Sequence, residues 1–210
     1  MKKLLALLFS LFIINSSSVF ADDIGDFSIE GIRIGDSLLD YMTEDEILKE
    51  IEKSISRNDN YYLNEPLKYL DIYINKDFQI YKDGISFMIK NNASNQYISD
   101  INEKYIILLV RGKINYIEDF DGCIKKRDEI VEIFSEMFPN SRKEASTFSH
   151  PVDSSGNSKI GGVYFYFDSG GDASAWCTDY EETFRVKNNY SEGFNVAISS
   201  AEIITWLEDY

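Results

Sequence analysis

Between Tyr105 and Tyr116 the chain carries Ile106-Ile107-Leu108-Leu109-Val110, five consecutive large apolar side chains. A strand sends successive side chains to opposite faces, so a run of this kind is shielded from water only where both faces are covered. The segment 105–116 therefore reads as a central strand, with Gly112 as a bulge. Shorter runs rich in β-branched and aromatic residues surround it at 69–74, 78–81 and 85–89, with Asp83-Gly84 as a hairpin turn. Three more lie at 162–167, 173–180 and 194–198, the first two joined through Ser169-Gly170-Gly171-Asp172.

Helical signals bracket these strands. Gly35-Asp36-Ser37 offers a cap for a short helix near 36–42, and Thr43 with Glu46 forms a capping box for a longer one near 44–55. Asp121 is placed to cap a helix over 121–138, where Ile124, Val131, Phe134 and Phe138 recur at helical spacing before Pro139. Ser199 and Glu202 make a second capping box ahead of Ile203, Trp206 and Leu207. The polar stretches 56–66 and 141–158 read as connections. The order predicts an α+β domain: an antiparallel sheet of about five to six strands with helices packed on one face, preceded by a helix-loop-helix. No repeat or Gly/Ser linker divides residues 22–210, which form one domain.

The first 21 residues carry a different signal. Lys2-Lys3, an apolar run from Leu4 to Ile14, and Val19-Phe20-Ala21 match a secretory signal peptide cleaved between Ala21 and Asp22. The run is shorter than the roughly 20 residues a membrane span needs, so no anchor is expected after cleavage. Removing Lys2 and Lys3 leaves 19 bases against 36 acids, a net charge of −17 on 189 residues. Such acidity repels phosphate backbones and anionic lipid, which argues against nucleic-acid and membrane-surface partners. In an oxidising compartment Cys123 and Cys177 are expected to pair, because neither has a metal-binding or catalytic neighbour in the sequence and no Cys-x-x-Cys spacing occurs.

Reactive constellations are sparse. His150 is the single histidine, in Ser149-His150-Pro151-Val152-Asp153-Ser154-Ser155-Gly156. A hydrolase would use it as a general base oriented by Asp153 beside a serine, although no Gly-x-Ser-x-Gly elbow is present; an ordered surface loop is the simpler reading. Glu118-Asp119-Phe120-Asp121-Gly122 matches part of a calcium loop, but Ile117 occupies the first ligand position. Asp153, Asp168 and Asp172 are the remaining candidates for a hard cation, and no metal or cofactor is assigned. Tyr164-Phe165-Tyr166-Phe167 puts aromatic rings on both faces of one strand, either as a two-sided central strand or with an exposed platform for a sugar or peptide. Asn92-Ala93-Ser94 and Asn189-Tyr190-Ser191 match the glycosylation acceptor pattern, which matters only in a eukaryotic source.

The stretch from Gly31 to Tyr41, the helix opened by Cys123, the loop from His150 to Gly156 and the Cys177 strand together resemble a family of small secreted proteins of unknown function from marine bacteria. The resemblance spans nearly the whole chain after residue 21 and implies no activity or site. Residues 31–51 are also similar to the helical openings of small bacterial lipoprotein and inhibitor domains, which bind other proteins. Abundant Ile, Asn, Lys, Tyr and Asp fit an AT-rich bacterial genome, and with the signal segment they place the chain in the periplasm or outside the cell. Two functions follow as expectations: a non-catalytic binding or interaction protein with a protein or small-molecule partner in the envelope, or a hydrolase built on His150 and Asp153.

Overall fold

A computed structural model describes residues 24, 27–58, 68–74, 78–91 and 103–208. The signal segment with its Ala21–Asp22 cleavage point and the Asn92 acceptor lie outside the described residues. Two short strands, β1 (Ser28–Ile29) and β2 (Ile32–Arg33), form a ribbon turned by Glu30 and Gly31 at φ of 54° and 81°. A one-turn 3-10 helix, Leu38–Asp40, starts on Ser37, whose hydroxyl accepts from Leu39 N–H. Helix α1 (Glu44–Ser56) begins on the expected capping box of Thr43 and Glu46.

Next come β3 (Tyr69–Ile74), β4 (Ile85–Lys90), β5 (Ile106–Asn115), α2 (Phe120–Met137), β6 (Arg142–Ser149), β7 (Lys159–Tyr166), β8 (Asp172–Asp179), α3 (Glu182–Asn188), β9 (Gly193–Ser199) and α4 (Ala201–Glu208). The seven longer strands form one antiparallel sheet in the order β3-β4-β5-β9-β8-β7-β6. After β5 the chain runs through α2 to the far edge and returns as a meander, so β9 slots between β5 and β8. The α+β class holds, and the sheet has seven strands rather than five or six.

Several local expectations are corrected. Residues 78–81 do not join the sheet; Tyr81 instead buries its ring against β5, and a Cβ at Gly112 would stand 2.5 Å from that ring. Gly112 thus serves close approach and keeps regular pairing, while the ladder shift falls between Met88 and Ile89. The polar stretch after Ser141 holds β6, exposed at every position, which explains its lack of an apolar signature. Asp119, not Asp121, caps α2 by accepting from Gly122 N–H. Ser200, not Ser199, accepts from Ile203 N–H at the start of α4, and Glu202 turns to Tyr69 and Lys90.

Helices α1 and α2 cover one face of the sheet, and α4 lies on the other. Phe134 of α2 meets Phe27, Phe138 and Phe165 with ring centroids 5.4–5.7 Å apart, inside the main core. A separate cluster packs Ile203 and Trp206 of α4 onto Tyr69, Met88, Leu108 and Leu109. The ladder shift explains how Leu108 and Leu109, adjacent in sequence, join the same cluster. Cys123, in the first turn of α2, is bonded to Cys177 in β8 with Cα atoms 6.0 Å apart, and both are fully buried.

The bridge closes 54 residues, which the chain-entropy treatment values at about 4 kcal/mol. Replacing Cys123 and Cys177 together by Ala is therefore expected to lower Tm by about 10 °C in a calorimetric scan.

Candidate functional site

The sequence candidates His150 and Asp153 share one loop between β6 and β7, yet each is engaged elsewhere. Val152 N–H donates to His150 Nδ1 at 3.3 Å, so the neutral ring carries its proton on Nε2, which lies 3.1 Å from the Tyr180 hydroxyl. Burial lowers the pKa of His150, against the opposing charge of Asp153, and burial with Tyr190 nearby pushes Tyr180 up to about 12. Tyr180, Phe184 and Tyr190 continue this aromatic cluster into α3. Asp153 is buried and accepts four hydrogen bonds, from the backbone and hydroxyl groups of Ser155 and Ser158, at 2.7–3.0 Å. The hydroxyl of Ser158 in turn accepts from Glu181 N–H. These are the bonds of a loop anchor; neither serine is paired with the imidazole.

Other candidates disperse. Asp119 and Asp121 serve the start of α2, and among the described residues no three His, Cys, Asp or Glu side chains converge as a metal-binding group. Asn189 ends α3 in the left-handed conformation. Phe165 and Phe167 pack with the main core, whereas Tyr164 and Tyr166 stand half-buried on the opposite face.

That opposite face carries a cavity the sequence reading missed. It measures about 240 Å³ and is lined by Asp71 and Tyr73 of β3, Ser86 of β4, Arg111 and Lys113 of β5, and Asn195 of β9. The alternation of β5 positions the two bases: Ile107 and Val110 enter the main core, so Arg111 and Lys113 stand on the side away from α1 and α2. Arg111 donates from Nε to Ser86 Oγ at 3.0 Å and reaches Asp71 Oδ2 at 3.5 Å. Lys113 donates to the Ser191 carbonyl at 3.1 Å. Burial lowers the Lys113 pKa and the Arg111 charge lowers it further, while Asp83 opposes both. The lining thus carries two cations and the carboxylate of Asp71, and the charge of Asp83 also acts on Lys113. The sequence signal was the alternation Arg111-Gly112-Lys113 directly after an apolar run, which marks one strand face turning polar.

The cavity abuts an aromatic row. Asn195 pairs directly with Trp176, which pairs with Gly162. A Cβ at Gly162 would lie 2.8 Å from the Tyr164 ring, so glycine lets that ring lie close against the strand. Tyr164 and Tyr166 stack with centroids 6.4 Å apart and planes 19° apart, and the Arg142 guanidinium sits 4.1 Å from the Tyr166 ring centre. Asp172, the register partner of Tyr166, keeps one buried oxygen without a hydrogen-bond partner among the described residues. Burial raises its pKa, in opposition to a hydrogen bond with Ser199.

No family model, curated protein or solved structure matches the chain. The cavity and its aromatic border therefore rest on their own geometry.

The Asp153 anchor has a pH signature. Its hydrogen bonds hold the carboxyl at about 2, below the ordinary 3.8, so its stabilising effect is complete above the ordinary value and disappears as pH falls through about 2. Asp153→Asn is expected to lower Tm at pH 7 and to flatten the acid limb of a Tm-against-pH curve; an acid limb matching the parent protein would contradict the anchor.

Proposed function

We propose that this is a secreted, non-catalytic binding protein that holds a small oxyanion in the Arg111–Lys113 cavity. The observation that carries the reading is the charge arrangement on the open sheet face: two bases two residues apart on one strand face, within an otherwise strongly acidic chain. Their Cα atoms are about 7 Å apart along the strand, a spacing that one carboxylate, sulfate or phosphate group can bridge. Arg111 supplies a planar donor fork, Lys113 a compact charge, and Ser86 and Asn195 add neutral polar groups.

Export rests on the signal pattern at 1–21 together with the buried disulfide, a bond that persists in oxidising compartments. Among the described residues no helix is long and apolar enough to cross a membrane. The binding reading is favoured over a hydrolase because His150 is bonded to Tyr180 and Val152, while Asp153 is occupied in holding its own loop.

Thermal shift with acetate, inorganic sulfate, inorganic phosphate and D-galacturonate at matched ionic strength tests the reading. At about one hundred times its Kd, a bound anion is expected to raise Tm by roughly 5–10 °C, and Arg111→Gln should remove the shift. No shift with any of the four anions, or an equal shift in Arg111→Gln, would overturn the cavity as an anion site.

A further inference from the structure

Small anions alone leave the aromatic border of the cavity without a role. Trp176, Tyr164 and Tyr166 are half-buried side chains on the same open face, and Trp176 is the direct cross-strand neighbour of the cavity residue Asn195. Two parallel rows cross the sheet here. One runs Lys113, Asn195, Trp176, Gly162; the other runs Arg111, Ala197, Ser174, Tyr164. Each spans three interstrand steps, about 14 Å from β5 to β7. In the second row the two intervening residues, Ala197 and Ser174, are buried, so the half-exposed path from the bases toward the Tyr164 ring runs through Asn195 and Trp176 of the first row.

We infer that the ligand of this face is a short acidic oligosaccharide, with its carboxylate or sulfate on Arg111 and Lys113 and the following sugar rings laid along Trp176 and Tyr164. The inference rests on the anion-site reading above and extends it. A pyranose ring has an apolar face of C–H groups that packs on an aromatic ring, and an edge of hydroxyls that needs polar partners. The face offers both in the required order: rings at β7 and β8, then Asn195, Ser86, Asp71 and the two bases toward β3. A lone phosphate or acetate would use only the far end.

Two bases beside the row are held by acids of their own. Arg142 at the β6 edge is bridged to Glu144 and covers Tyr166, and Lys90 at the other side is bridged to Glu202. Arg111 shares Asp71, whereas Lys113 has a backbone carbonyl as its hydrogen-bond partner.

Isothermal titration of the oxidised chain lacking residues 1–21 tests the proposal, using trigalacturonate, a sulfated galactose trisaccharide, D-galacturonate and maltotriose as probes. One of the acidic trisaccharides should bind about tenfold more tightly than the D-galacturonate monomer. Trp176→Ala should erase that difference while leaving monomer binding intact, and Arg111→Gln should abolish both. Tyr164→Ala provides a second aromatic variant should Trp176→Ala not fold. An acidic trisaccharide that binds no better than the monomer, with both lost in Arg111→Gln, overturns the saccharide assignment and leaves the anion site standing. Equal binding of maltotriose overturns the role of the acid group, and absence of binding by both acidic trisaccharides overturns the proposal outright.

Discussion

Everything in the sheet is organised by the fact that β5 is covered on both faces for half its length and on one face for the rest. From Ile106 to Val110 its side chains divide between the main core under α1 and α2 and the smaller cluster under α4. From Arg111 onward the α4 cover has ended, and the outward positions become Arg111 and Lys113. A base under α4 would be a desolvated charge in an apolar cluster; beyond it the same base stands in a polar cavity. The candidate site is thus the place where one layer of the fold stops.

Other structural commitments hold the sheet from behind that face. The Cys123–Cys177 bond ties α2 to β8 from the opposite side, and the Phe134 cluster fills the space between them. With Cys177 directed into that core, its neighbours Trp176 and Thr178 are directed to the open face. The bridge and the aromatic row are consequences of one alternation. Glycine works in the same sense on each side of the sheet: Gly112 admits the Tyr81 ring and Gly162 admits the Tyr164 ring, each close against a strand backbone.

Much of the architecture was legible before any coordinates. The apolar run at 106–110 identified the central strand, the Thr43–Glu46 box identified α1, and the cysteine count, with the signal-like pattern at 1–21 as an expectation, pointed to the bridge. What escaped was amphipathic in no direction. Arg142–Ser149 is a strand because β7 offers it a ladder of hydrogen bonds, and its eight exposed side chains carry no core pattern. Glu182–Asn188 buries no side chain, so α3 likewise had no periodic stripe to betray it. The cap positions at Asp119 and Ser200 differ from the expected Asp121 and Ser199 because several oxygen-bearing residues stand side by side, and backbone geometry chooses among them.

The sequence by itself determined the α+β class, the two-sided burial of β5, the pairing of Cys123 with Cys177 and the expectation of export, since each depends on local composition or on counting. Only the tertiary structure decided where binding chemistry gathers. Asp71, Arg111 and Asn195 lie far apart along the chain: Asp71 reaches Arg111 across the β3-β4-β5 meander, and Asn195 joins them because β9 returns between β5 and β8. Conversely His150 and Asp153, close in sequence, were separated in role because a buried carboxylate takes the nearest donors, and those were the backbone and hydroxyls of Ser155 and Ser158.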